Sequence, residues 1–152
     1  MPISPKLGPE AAAASMAEKT PPYTRQEATI EANRCVFCFD APCIQACPTG
    51  IDVPSFIRKI ATGNLTGSAR VILSANILGA SCARVCPTEV LCEGACVVLD
   101  REGDPVKIGR LQRYATDHAL QQRLPILKAP AKKSGRRVAV IGGGPAGLGC
   151  AA

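Results

Sequence analysis

Cys35-Val-Phe-Cys38-Phe-Asp-Ala-Pro-Cys43-Ile-Gln-Ala-Cys47-Pro48 is the first of two dense cysteine runs, and the second is Cys82-Ala-Arg-Val-Cys86-Pro-Thr-Glu-Val-Leu-Cys92-Glu-Gly-Ala-Cys96. Together they hold eight of the nine cysteines of a 152-residue chain. Disulfides, zinc sites and iron–sulfur clusters all concentrate thiols in this way. Disulfides need an oxidising compartment. The N-terminus offers only Ala11 to Ala14 as an apolar stretch, closed by Glu18 and Lys19, and so lacks the core of a signal peptide. No stretch is long or apolar enough to span a bilayer. A cytoplasmic chain with reduced or metal-bound thiols and no membrane contact is the expectation.

Spacing then separates the metals. Structural zinc takes two hooks of the Cys-x2-Cys type parted by a loop. Here four cysteines crowd into residues 35–47, and each run contains Cys-Pro, as in the bacterial ferredoxin run whose last cysteine precedes proline. Four thiolates fix the four irons of a cubane, and irregular intervals let the chain wrap it. The first run has four residues where the ferredoxin pattern has two, so a simple ferredoxin does not match. Each run can hold its own cluster. Alternatively, the ferredoxin precedent has Cys35, Cys38 and Cys43 take a ligand from the second run while Cys47 joins the other centre. Spacing leaves both arrangements open.

The rest of the chain suits a small metal domain joined to the start of another. Only five residues are aromatic and none is tryptophan, so the core is modest and metal staples would compensate. Basic and acidic residues cancel from Met1 to Gln122, and the net charge of +6 comes from Arg123, Lys128, Lys132, Lys133, Arg136 and Arg137. Residues 123–137, broken by Pro125 and Pro130, therefore read as a basic linker. It has no aromatic for base stacking, so no nucleic-acid partner is expected.

Residues 1–23 read as disordered or loosely laid on the surface. A helical domain over residues 24–122 follows. Thr24-Arg-Gln-Glu27 is a capping box that starts a helix from Arg25 to Asn33. Asp52 caps a second helix with Val53, Phe56, Ile57 and Ile60 on one face and Gly63 as its stop. A third runs over Thr66–Ala75. Val97–Asp104 reads as a loop, and a last helix carries Ile108, Leu111, Ala115 and Ala119 inward. His118, on that helix, is solvated or capping rather than a metal ligand.

Residues 138–152 carry a different signal. Val138-Ala-Val-Ile141 has the unbroken apolar character of a buried parallel strand. Gly142, Gly143, Gly144, Pro145, Ala146 and Gly147 then supply a Gly-x-Gly-x-x-Gly dinucleotide turn. The acidic residue expected about twenty positions later does not occur before Ala152. The fold class is thus mainly α, an α-helical ferredoxin-like domain for two [4Fe–4S] clusters followed by the first strand and turn of a truncated Rossmann-type FAD domain. A segment of a longer flavoprotein, unable to hold flavin by itself, is the expectation.

Four stretches carry a resemblance: Glu31–Cys38, Asp40–Thr49, Leu78–Glu89 and Ile108–Thr116. They resemble the N-terminal iron–sulfur domain of the dihydropyrimidine dehydrogenase family, in its bacterial flavoprotein-subunit form. The glutamate synthase small subunit shares the architecture and is the alternative. The interval from Cys86 to Cys92, and the Gly-x-Leu-Gln segment, favour the pyrimidine family. What the resemblance implies is specific. Cys35, Cys38, Cys43 and Cys96 hold one cluster, while Cys47, Cys86, Cys92 and Gln112 hold the other. Cys82 is left as a nearby thiol that replaces Gln112 if the helix does not deliver it, and Cys150 is a packing residue. The resemblance further implies an oxidoreductase in which NAD(P)H reduces FAD. Electrons then pass through the clusters to a partner subunit carrying FMN and iron–sulfur centres, where uracil or thymine becomes the 5,6-dihydropyrimidine. No residue here reads as a catalytic acid or base. A docking module merely stapled by metal is the remaining alternative.

Overall fold

The computed structural model describes residues 8–128, 131–132 and 134–152, so Pro130 and Lys133 of the linker lie outside the described residues. Its elements are helices. The first, α1 (Pro9–Ser15), is an exposed alanine-rich turn with proline in its first position. It forms where the sequence suggests no regular structure, because an alanine run behind a proline is a good helix start. Next, α2 (Arg25–Asn33) begins at Thr24, whose hydroxyl accepts the Glu27 N–H at 3.3 Å while the Glu27 carboxylate accepts the Thr24 N–H at 2.7 Å. The Thr24 N–H and, second, its hydroxyl, which also donates to the Glu27 carboxylate at 2.7 Å, hold the Glu27 carboxyl below its ordinary range.

A single turn, α3 (Pro42–Gln45), lies inside the first cysteine run. The core helix α4 (Val53–Ala61) follows, with the Asp52 carboxylate accepting the Ser55 N–H at 3.0 Å. Val53, Phe56, Ile57 and Ile60 are all buried on one stripe. Asn64 caps α5 (Leu65–Ala75), starting it one residue earlier than expected. Ser68 on α5 is fully buried and donates to the Phe56 carbonyl at 2.9 Å, so it is satisfied. Then come α6 (Gly79–Val85), a 3₁₀ turn (Thr88–Val90), α7 (Val97–Glu102), α8 (Ile108–Gln121) and α9 (Pro145–Ala151).

The longest helix, α8, is the spine. It packs on α5 and α6 and touches α4, which in turn packs on α2 and α5. Its inward face is Ile108, Leu111, Gln112, Ala115, Thr116 and Ala119. Small residues at Ala28 and Ala32 let α2 sit close to α4. Two arginines of α8 lash the N-terminal segment to its outer face. Arg113 donates to the Thr20 carbonyl at 2.8 Å and pairs with Glu18, while Arg110 donates to the Pro21 carbonyl at 3.1 Å and stacks on the Tyr23 ring at 3.7 Å.

Two local expectations need correcting. Val97–Asp104 is not a loop, because α7 occupies Val97–Glu102 and ends on Gly103, which takes φ +73° and returns its N–H to the Leu99 carbonyl at 2.8 Å. Val138–Ile141 forms no strand. A strand needs a neighbour for its N–H and C=O groups, and no second strand exists among the described residues. Val138 and Ile141 are accordingly 83% and 99% exposed.

Candidate metal centres

Four thiols meet in one recess. Cys35 follows the C-terminus of α2, Cys38 comes three residues later, Cys43 sits in α3, and Cys96 is the residue capping α7 from the other run. The recess is otherwise walled by apolar groups such as Val53, Ile57, Val98 and Ile108. Burial, reinforced by the neighbouring thiols Cys35, Cys96 and Cys38, pushes the Cys43 thiol up to about 12. Burial also raises Cys35, an effect partly offset by the Phe37 backbone N–H. Such thiols stay protonated at neutral pH unless a cation draws the proton off, as a metal does on binding.

The second recess is lined by Cys47, Cys82, Cys86, Cys92 and Gln112. Here polar groups reach the sulfurs. Burial pushes the Cys47 thiol upward, but hydrogen bonds from the Thr49 hydroxyl and from the Ile51, Thr49 and Gly50 amides outweigh it, so the net shift is downward. The Thr49 Oγ1 to Cys47 Sγ distance is 3.5 Å. The Asn76 amide donates to Cys82 Sγ at 3.2 Å. Burial, with the Glu93 carboxylate second, pushes Cys92 up to about 12. Gln112 is only 8% exposed, and its Nε2 donates to the Gly79 carbonyl at 2.7 Å. That bond fixes the amide and reserves Oε1 as its free donor atom. The second recess therefore holds both Gln112 and Cys82, one donor more than the first.

Each recess thus draws on both cysteine runs. Cys92 and Cys96 line different recesses although only three residues separate them, and the chain between them is tight. A Cβ on Gly94 would lie 2.3 Å from the Glu89 carbonyl oxygen, a backbone atom that cannot step aside. Gly94→Ala is expected to cost about 1–3 kcal/mol and to lower iron retention in both recesses, as read from iron per chain after desalting.

The hinge between α2 and the loop before α8 is fixed by Arg34. It donates to Glu31 at 2.9 Å, to Glu102 at 3.0 Å, and to the carbonyls of Asp104 at 2.6 Å and Pro105 at 3.3 Å. Glu31 in turn accepts the Lys107 N–H at 2.8 Å. This brings Cys35 and Cys96 to one side of the core.

All nine cysteines are free. No three His, Cys, Asp or Glu side chains among the described residues gather tightly enough to hold a single ion. Four thiols drawn from both cysteine runs into one recess are the donor set that a cubane cluster takes. The donor sets therefore fit cubane clusters.

At the other end of the chain, Gly142 adopts φ +118° and a Cβ on Gly147 would fall 2.1 Å from the Gly142 carbonyl oxygen. Gly142 and Gly147 thus close a tight turn at the start of α9. Gly143 and Gly144 face open space, and Pro145 and Ala146 open α9. His118 lies beside the Thr66 hydroxyl at 3.5 Å and in neither recess, and Cys150 is exposed rather than packed. No helix of the described residues is long and apolar enough to cross a membrane. Thr49 and Asn76, which reach the sulfurs, and Arg34, which ties the end of α2 to the segment before α8, carry no sequence signal beyond closeness to a cysteine.

Comparison with known proteins gives the family. The model described as dihydropyrimidine dehydrogenase domain II, 4Fe–4S cluster, matches residues 12–124, and the chain belongs to that family. It is 49% identical over 131 residues to the NAD-dependent dihydropyrimidine dehydrogenase subunit PreT of Escherichia coli K12, covering 86% of this chain and 31% of the relative. The subunit PreT of Salmonella typhimurium is 49% identical over 133 residues, with the same coverage of both chains. The chain thus spans about a third of the length of the curated relatives it matches.

Proposed function

We propose that this chain is the electron-transfer segment of an NAD(P)H-dependent flavoprotein oxidoreductase acting on pyrimidines. It would hold two [4Fe–4S] clusters, one on Cys35, Cys38, Cys43 and Cys96 and the other on Cys47, Cys86, Cys92 and Gln112. The observation that carries this reading is the pair of recesses, each lined by donors from both runs. A bound [4Fe–4S] cluster supplies one-electron chemistry at a potential set by its ligands, its hydrogen bonds and its exposure. The protein's own contribution is selective. The first recess surrounds its thiols with mostly apolar walls, whereas Thr49 hydrogen-bonds Cys47 in the second. The fixed amide of Gln112 offers a neutral oxygen where a thiolate would bring a charge, which raises the net charge of that site by one.

Gly142 to Gly147 and the first amides of α9 would cradle the pyrophosphate of FAD in the complete protein. The relatives' description as NAD-dependent subunits supports a nicotinamide donor and a heteromeric enzyme. The partner would be an FMN- and iron–sulfur-containing subunit that reduces uracil or thymine. Anaerobic purification tests the reading. A brown protein with iron and acid-labile sulfide for two clusters, giving EPR signals on reduction, is the expected result. A folded, colourless protein holding only zinc would overturn it.

A further inference from the structure

Phe37 has φ +51°, inside the left-handed region that a residue with a Cβ enters only at a steric cost. It lies between Cys35 and Cys38, two donors of the first recess, and Cys35 is already committed by its N–H bond to the Ala32 carbonyl at the end of α2. The chain must therefore reverse within two residues for both sulfurs to face the same space. The ring is not idle. It packs at the edge of the hydrophobic core, and the Arg58 guanidinium of α4 lies over it at 4.7 Å from the ring centre. Arg58 and Phe37 also share a surface groove with Cys38 and Asp52. Glycine would adopt this backbone without strain, yet it would have no ring for α4 to hold.

We infer that Phe37, pinned by Arg58, is a positioning residue for the first cluster, its left-handed backbone being what turns Cys35 and Cys38 toward one recess. This inference rests on the proposal that the recess holds a cluster. It makes a counter-intuitive ranking. If Phe37 served only as core packing, a valine would replace it better than a glycine. If its backbone is what matters, glycine is tolerated and the β-branched valine is not.

The test uses the full-length protein purified anaerobically, with iron and acid-labile sulfide per chain, EPR of the reduced protein and far-UV ellipticity as readouts. Phe37→Gly should keep the wild-type iron content. Phe37→Val should lose half of the iron and one set of EPR features, with helicity and the remaining set unchanged. Arg58→Met should load both clusters but release the first faster under a ferrous chelator. Equal loading of the glycine and valine variants, or loss of both clusters together in Phe37→Val, would overturn the inference. A wild-type protein without iron would instead overturn the cluster reading, and this inference with it.

Discussion

Cys96→Ala is expected to halve the iron content by emptying the first recess, and Cys38→Ala, from the other run, should do the same. The decisive result is the double variant. Because Cys38 and Cys96 face one recess with no spare donor, Cys38→Ala/Cys96→Ala should lose no more iron than either single change. Residues that act through a shared centre are non-additive in this way. Were each run to hold its own cluster, the two losses would add and the double variant would contain no cluster. Iron per chain, with EPR of the reduced protein, separates the outcomes. Cys82→Ala should leave iron unchanged, since the second recess has Gln112 as well as three other thiols.

Phe56→Ala should produce the largest loss of stability. Phe56 is fully buried on α4, the helix that touches α2, α5 and α8. Removing a buried phenyl ring costs about 3–5 kcal/mol through lost transfer energy and the cavity left behind. For a domain of this size each kcal/mol moves Tm by roughly 4–8 °C. Thermal unfolding of the loaded protein, followed by ellipticity, checks this. Ile57→Val, in the same stripe, should cost only about 0.5–1.5 kcal/mol. The contrast arises because this core has few large side chains, so one ring carries much of it.

Much of this architecture is legible from residue patterns because its signals are local. Thr24 with Glu27 and Asp52 with its apolar stripe define α2 and α4 through bonds that span three residues. Where local signals are weak, the pattern misleads. Val97–Glu102 has no side-chain N-cap, and its helix is held by the chain being drawn from Cys96 back to the core, with only Gly103 as a stop signal. Val138–Ile141 shows the reverse case, an intrinsic strand pattern that needs a neighbouring strand. The cysteine spacing marks the donors but not their partition. That depends on contacts between residues about seventy positions apart, such as Arg34 with Glu102 and Asp104, and on the backbone at Phe37, whose residue type gives no hint of a left-handed turn.

The sharing of donors between the two runs also bears on how the chain matures as it is made. While only the first run has left the ribosome, neither pocket has its walls: one waits for Cys96 and Ile108, the other for Cys86, Cys92 and Gln112. Iron offered at that moment would meet loose thiols with no enclosure. Under the proposed ligation, metal delivery would wait until α8 has emerged and docked, and the same stretch of nascent polypeptide would complete both centres.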